Sequence, residues 1–204
     1  MSRADNRIYL ASQSPRRREL LKQIGVNFDV LVLRTAFGRA DVLEIPQENE
    51  EPGAFARRMA EEKSAKGENA VGLRQLIARP VLGADTVVDI DGESIGKPRD
   101  LGQAGEILRR LSGRTHWVHT GVAITVADST ESRLSSSKVE FAPLSSTMLA
   151  RYLESGEALD KAGAYGIQGR AGTFISRIEG SYTGIMGLPL FETAELLNWA
   201  GIRL

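Results

Sequence analysis

Near the N-terminus, Ser12-Gln13-Ser14-Pro15-Arg16-Arg17-Arg18 places two serine hydroxyls and three guanidinium groups where an apolar run gives way to a helical pattern. Free backbone N–H groups at a helix N-terminus, the positive end of the helix dipole and bidentate arginines all favour a phosphate. A capped helix with a solvated basic first turn is the plain alternative, but basic residues there oppose the dipole and need another reason. Asp85 interrupts the apolar run Val81 to Ile90, so its carboxylate must be hydrogen-bonded, metal-bound or at an exposed strand end. Its hard oxygens suit magnesium and can orient a water as general base; a capping or network aspartate is the competing reading. Lys63 and Lys97 each read alone as solvated surface charges, although Gly96 and Pro98 fix the backbone on both sides of Lys97. The stretch Ala162 to Gly172 holds Gly163, Gly166, Gly169 and Gly172, with Tyr165 as a stacking surface and Gln168 as an amide able to read a base edge. By itself it equally fits a tight β-bend. His116 and His119 fall on opposite faces of a strand-like segment, which does not make a shared metal site.

These groups need a frame. Ile8 to Ala11 reads as a short strand, and Ser14 as the cap of a helix that Pro15 opens, Leu20, Leu21 and Ile24 bury and Gly25 stops. Phe28 to Leu33 reads as a second, buried strand. The polar segment from Arg34 to Gly53, with Asp41, Glu44, Glu48, Glu50 and Glu51, reads as a loop beside a cleft. A second helix from Pro52, carrying Phe55, Met59 and Lys63, is expected to end before Gly67, and a core strand over Val81 to Ile90 to turn at Asp91-Gly92. Asp100 caps a third helix; Thr115 to Ala127 and Lys138 to Phe141 are strands, with Arg133 to Ser137 as a solvated edge or turn. Helices opened by Ser145 and Pro189 follow. Strands alternating with helices, plus antiparallel hairpins, predict an α/β protein with a mixed sheet.

The chain has 204 residues, Lys+Arg 26 against Asp+Glu 26, and Cys 0. That length predicts one domain over residues 1–204, built as two lobes sharing a cleft. Without cysteine, disulfides, thiolate metal sites and cysteine nucleophiles are excluded. A net charge of zero argues against a generally basic nucleic-acid or membrane-surface protein, so phosphate binding must be local. No signal-peptide pattern and no apolar run of membrane-spanning length is present, and we expect a cytoplasmic protein.

Taken in order, Leu10 to Arg17, Leu82-Gly83-Ala84-Asp85-Thr86, Gly96 to Asp100, Asp160 to Gly169 and Gly187-Leu188-Pro189-Leu190 resemble the Maf family over nearly the whole chain. The resemblance implies a nucleoside triphosphate pyrophosphatase that cuts between the α and β phosphates with a divalent metal, Mg²⁺ or Mn²⁺. It also implies a two-lobed α/β fold shared with inosine triphosphate pyrophosphatases, with the nucleotide between the lobes. Asp85 matches the proton acceptor; the loop with Ser12, Ser14, Arg16 and Arg17, together with Lys63 and Lys97, matches the phosphate site. Arg16, Thr86 and Gln168 look like the branch acting on dTTP and UTP rather than on 7-methyl-GTP, with Thr86 and Gln168 expected to read the pyrimidine edge. Where relatives carry an acidic pair after the second strand, this chain has Arg34-Thr35-Ala36-Phe37-Gly38, so Asp41 or Glu44 takes its place, and Glu44 joins Asp85 as the expected metal ligand. Homodimers occur among relatives, an analogy of fold. Rival readings are turnover of modified nucleotides and a nucleotide-binding regulator linked to septum formation. The zero net charge then reads as a cationic phosphate wall facing an acidic, metal-binding side.

Overall fold

A computed structural model describes residues 6–34 and 41–204; of the stretch from Arg34 to Gly38, only Arg34 falls inside the described residues. Helices pack on a seven-stranded mixed sheet of order β2-β1-β3-β5-β6-β7, with β4 also paired to β3, which is the α/β class expected from the alternation. β1 (Arg7–Leu10) runs parallel to β2 (Asn27–Val30) and leads into α1 (Pro15–Gln23). Ser14 occupies the cap position of α1, but its hydroxyl makes no capping bond; the Ser12 Oγ accepts the Ser14 N–H at 3.2 Å instead. β2 stops earlier than the apolar run to Leu33 suggests. Its partner β1 ends at Leu10, whose carbonyl takes the Leu31 N–H at 2.9 Å, and beyond it no strand remains to pair with.

α2 (Pro52–Leu73) runs straight through Gly67 rather than ending before it. That glycine is a contact point: a Cβ there would lie 2.6 Å from Val81 Cγ1. β3 (Val81–Ile90) pairs along one edge with β5 (Thr115–Val126) from Val81 to Asp89. Among the described residues its other edge is covered only at the ends, by β1 at Val81 and Leu82 and by β4 (Glu93–Ile95) at Val88 to Ile90. The uncovered stretch between them contains Asp85 and Thr86. Two buried clusters meet at the same place, since Leu82 and Ala84 pack with Leu10, Leu21, Ile124 and Leu196, whereas Val88 and Ile90 pack with Leu108, Leu111 and Phe141.

β5 turns into β6 (Ser129–Phe141) at Ala127 and Asp128, both at positive φ (50° and 63°), the conformation that matches strand twist in a two-residue hairpin. Arg133 to Ser137 thus lies inside a 13-residue strand, not at a turn. Its serines are small enough for neighbours to close on them: the Ser137 Oγ accepts the Ser181 N–H at 2.9 Å and the Ser132 Oγ accepts Arg57 Nε at 2.7 Å. α3 (Leu101–Leu111) and α4 (Ser146–Glu154) are capped by Asp100 and Ser145 as expected. β7 (Ile175–Glu179) and α5 (Tyr182–Met186) precede α6 (Leu190–Trp199) and were not evident from periodicity. No helix among the described residues is long and apolar enough to cross a membrane.

His116 is buried beside Phe141, ring centroids 5.0 Å apart, with Nε2 2.8 Å from the Tyr165 hydroxyl. Burial pushes its pKa down from 6.5 to about 4, so the folded imidazole is neutral at neutral pH. As pH falls below 6.5 the unfolded chain takes up this proton first, so the stability tied to neutral His116 is complete above 6.5 and is lost between 6.5 and about 4. The loss is expected to reach about 3 kcal/mol. Urea unfolding across this range measures it, and a His116→Gln chain should lack that share of the acid sensitivity.

Candidate active site

The opening along β3 is the floor of a cleft of about 1100 Å³, and every site residue expected from the sequence lines it. Position begins with two glycines. A Cβ on Gly83 would lie 2.5 Å from the Ala60 carbonyl oxygen and 2.6 Å from Ser64 N, and one on Gly121 would meet the Ala56 backbone, so α2 lies directly on β3 and β5. Lys63 sits at this crossing, and Asp85, two residues beyond Gly83, shares the sheet face that α2 covers. The Lys63 ammonium is 2.5 Å from Asp85 Oδ1 and 2.6 Å from Glu44 Oε1. The two carboxylates therefore converge on a single cation position. Burial acts to raise the Glu44 pKa, but the charge and hydrogen bond of Lys63, with Lys97 and Arg17, outweigh it and hold the group below its ordinary value.

Of the other acidic residues in the 41–51 segment, Asp41 accepts Arg34 Nε at 2.9 Å and Glu50 accepts Arg58 Nε at 2.6 Å. Of these three, Glu44 is the one paired with Lys63 among the described residues. Opposed cationic and acidic walls do not form either, because Lys63 stands between the carboxylates and Arg16 pairs with Asp160 at 3.3 Å.

At the N-terminus of α1, the Arg16 and Arg17 N–H groups have no acceptor among the described residues, and the Ser14 hydroxyl is likewise without a partner there. Arg17 is held on three sides: Nε donates to the Gly187 carbonyl (2.8 Å), Nη1 to Ser12 Oγ (3.1 Å) and Nη2 to Thr86 Oγ1 (3.2 Å). Burial lowers its pKa against the opposing pull of Asp85, yet a guanidinium stays charged in proteins. Lys97 is exposed at the rim. Gln168 is also exposed, its amide without a protein partner among the described residues. Tyr165 lines the cleft but is a poor stacking platform: it is 5% exposed, with its ring edge-on to Phe141 and its hydroxyl on His116.

By sequence comparison, residues 7–200 match the family described as Maf-like protein. The chain belongs to the Maf family. It is similar to dTTP/UTP pyrophosphatases of Dechloromonas aromatica (strain RCB), 53% identical over 97% of this chain and 98% of the relative, and of Aromatoleum aromaticum (strain DSM 19018 / LMG 30748 / EbN1), 52% identical over 97% of each. The protein of that name from Nitrosomonas europaea (strain ATCC 19718 / CIP 103999 / KCTC 2705 / NBRC 14298) is 49% identical over 98% of this chain and 97% of its own length.

In this Maf protein the structure adds groups to the site that residue types alone did not single out. Asp160 accepts both Arg16 and Lys161, the latter at 2.5 Å, and so ties the glycine-rich segment to α1. The Gly187 carbonyl anchors Arg17; its only sequence signal is the Gly187-Leu188-Pro189-Leu190 motif. A second cavity of about 1260 Å³, lined by Arg34, Asp41, Lys66, Glu68 and Arg74 among others, takes in Asp41 but not Asp85, Glu44 or the expected phosphate-binding residues.

Proposed function

We propose that the chain hydrolyses dTTP and UTP to the nucleoside monophosphate and pyrophosphate. The observation that carries this is one cleft in which two converging carboxylates and Lys63 lie beside a helix N-terminus with free N–H groups and basic side chains. The printed name of three relatives near 50% identity, dTTP/UTP pyrophosphatase, supports the choice of substrate. Asp85 accepts a proton from the attacking water as its oxygen bonds to the α-phosphorus. The bond from that phosphorus to the oxygen bridging the β-phosphorus breaks, and pyrophosphate leaves with the bridging oxygen. Arg16, Arg17 and Lys97, with the α1 N–H groups and Ser12 and Ser14, bind the phosphates and offset charge growing on the leaving group. Lys63 pairs with both carboxylates, orients them and holds Glu44 ionised.

The donor set fits a divalent metal. Magnesium commonly takes one or two carboxylates plus substrate phosphates and water, and Asp85 and Glu44 offer oxygens around one cation position. Among the described residues no group of three or more His, Asp or Glu side chains could hold a metal. When bound, Mg²⁺ or Mn²⁺ would supply Lewis-acid stabilisation of phosphate charge and lower the pKa of a bound water.

Gln168 can pair its amide with the donor and acceptor of a pyrimidine edge. Thr86 holds Arg17 by accepting its Nη2 at 3.2 Å. A nucleoside triphosphate substrate supports a cytoplasmic reading in which neither nucleic acid nor membrane is a partner; a homodimer is part of this reading by family analogy. Pyrophosphate release from dTTP, UTP, CTP and 7-methyl-GTP, with Mg²⁺ or Mn²⁺, tests the assignment. Turnover of dTTP and UTP at least ~10²-fold above 7-methyl-GTP is expected from hydrogen-bonded base selection. Tight UTP binding with no product would instead identify a regulator, and preference for a modified nucleotide would identify a pool-cleaning enzyme.

A further inference from the structure

His119 does not line the cleft, yet it sits on the same sheet face as Asp85 and centres a second set of groups able to do chemistry. It lies opposite Val87 on β3 and Ser136 on β6, so Asp89, His119 and Ser136 all project from one face. His119 Nδ1 is 2.8 Å from Ser136 Oγ, and Nε2 is 3.3 Å from Asp89 Oδ2. Asp89 is itself held by the turn after β3, its Oδ1 accepting the Gly92 N–H at 2.8 Å. An ionised carboxylate can only accept, so in the neutral ring Nε2 carries the proton and Nδ1 presents a lone pair. The hydrogen between Nδ1 and Oγ therefore belongs to the Ser136 hydroxyl. This is the proton order of an acid, base and nucleophile relay, with the two ring nitrogens exchanged relative to the serine-protease arrangement. The Asp89 and His119 side chains are each 13% exposed, whereas Ser136 is open to solvent. The first turn of α2 stands over the pair: a Cβ on Gly53 would lie 3.5 Å from His119 Nδ1 and 3.2 Å from Leu134 Cδ2. The Gly53 and Ala54 N–H groups of that turn have no acceptor among the described residues.

We propose that Ser136, His119 and Asp89 form a second hydrolytic site, which cleaves aryl esters of short carboxylic acids independently of the nucleotide cleft. Ser136 Oγ bonds to the ester carbonyl carbon as its proton moves to His119 Nδ1. The bond from that carbon to the aryl oxygen breaks, the phenol leaves with the proton from His119, and the acyl group stays on Ser136. Water then repeats the sequence: its oxygen bonds to the acyl carbon, His119 takes its proton and returns it to Ser136 Oγ, and the carboxylic acid departs. The N–H groups of the α2 turn offset charge on the carbonyl oxygen, and Asp89 is a positioning residue that fixes the ring. Trp117, 38% exposed and stacked on His119 with ring centroids 6.0 Å apart, gives the aryl group an apolar contact. Leu134 and α2 crowd the other side and limit the acyl group to a short one.

The test measures p-nitrophenyl acetate hydrolysis together with labelling by a fluorophosphonate, located by peptide mass spectrometry, in the intact chain and in Ser136→Ala, His119→Gln and Asp89→Asn. Wild type should take up one phosphonate, on Ser136. Ser136→Ala and His119→Gln should each lower ester turnover by about 10²-fold or more, the contribution of a nucleophile with its base. Asp89→Asn should lower it too and move His119 from a single Nε2–H tautomer toward a mixture, read from imidazole ¹⁵N shifts. Because Ser136 is exposed, Ser136→Ala should unfold in urea like wild type and keep any UTP turnover. Phosphonate on other residues only, or ester turnover unchanged in Ser136→Ala, would overturn the proposal. A tautomer unmoved in Asp89→Asn would remove Asp89 from it, and loss of UTP turnover in a folded Ser136→Ala chain would overturn the independence of the two sites.

Discussion

Asp85→Asn should lower kcat for UTP by about 10²–10⁴-fold, the contribution of a positioned general base. The substitution keeps size and shape while removing the charge that accepts the proton. Lys63 loses the charge of its partner at 2.5 Å, although an asparagine Oδ1 still accepts there, and it retains Glu44 at 2.6 Å, so the ammonium is not left alone. The α1 N–H groups, Arg16 and Lys97 are untouched, and KM should move much less than kcat. Steady-state pyrophosphate release at saturating UTP gives the answer. An asparagine variant as fast as wild type would remove Asp85 from the chemistry and leave it an ion-pair residue.

Gly83→Ala is expected to destabilise the fold by about 3 kcal/mol, the upper range for forcing one carbon into a packed interface. The added Cβ would sit 2.5 Å from the Ala60 carbonyl oxygen and 2.6 Å from Ser64 N, both backbone atoms that no rotamer change can move aside. α2 would have to lift from β3. Since Lys63 immediately precedes Ser64, the same displacement should separate it from Asp85 and reduce activity in the fraction that still folds. Gly72→Ala is the matched control on the same helix, because nothing lies within 4 Å of its added Cβ; it should be neutral or slightly stabilising. Urea unfolding of the pair tests the contact, and equal stability of both variants would show that α2 does not depend on it.

Much of the site was legible because its chemistry is carried by residue type and local spacing. A proline opening a helix after Ser12-Gln13-Ser14, an aspartate inside an apolar strand and lysines in fixed surroundings can each be recognised without knowing the fold. Helix limits were less legible where glycine serves packing. Gly67 reads as a stop, yet it lies inside α2 because Val81 comes too close for a side chain. The serines of β6 read as a solvated strand edge or turn, and several are instead buried within the strand because their small size leaves room for α2 and the segment at Ser181.

The sequence by itself determined the α/β class and the family resemblance, and it singled out the groups proposed to bind and cleave a nucleotide, since each depends on local pattern or motif order. Tertiary structure decided which charges meet. Glu44 reaches Lys63 while Asp41 and Glu50 are taken by nearby arginines, and Arg17 is committed on three sides to Ser12, Thr86 and Gly187. Such choices depend on distances of a few ångströms between segments as far apart as residues 17 and 187. Only the partial pairing of β3 and the seating of α2 on Gly83 and Gly121 bring these groups into one cleft.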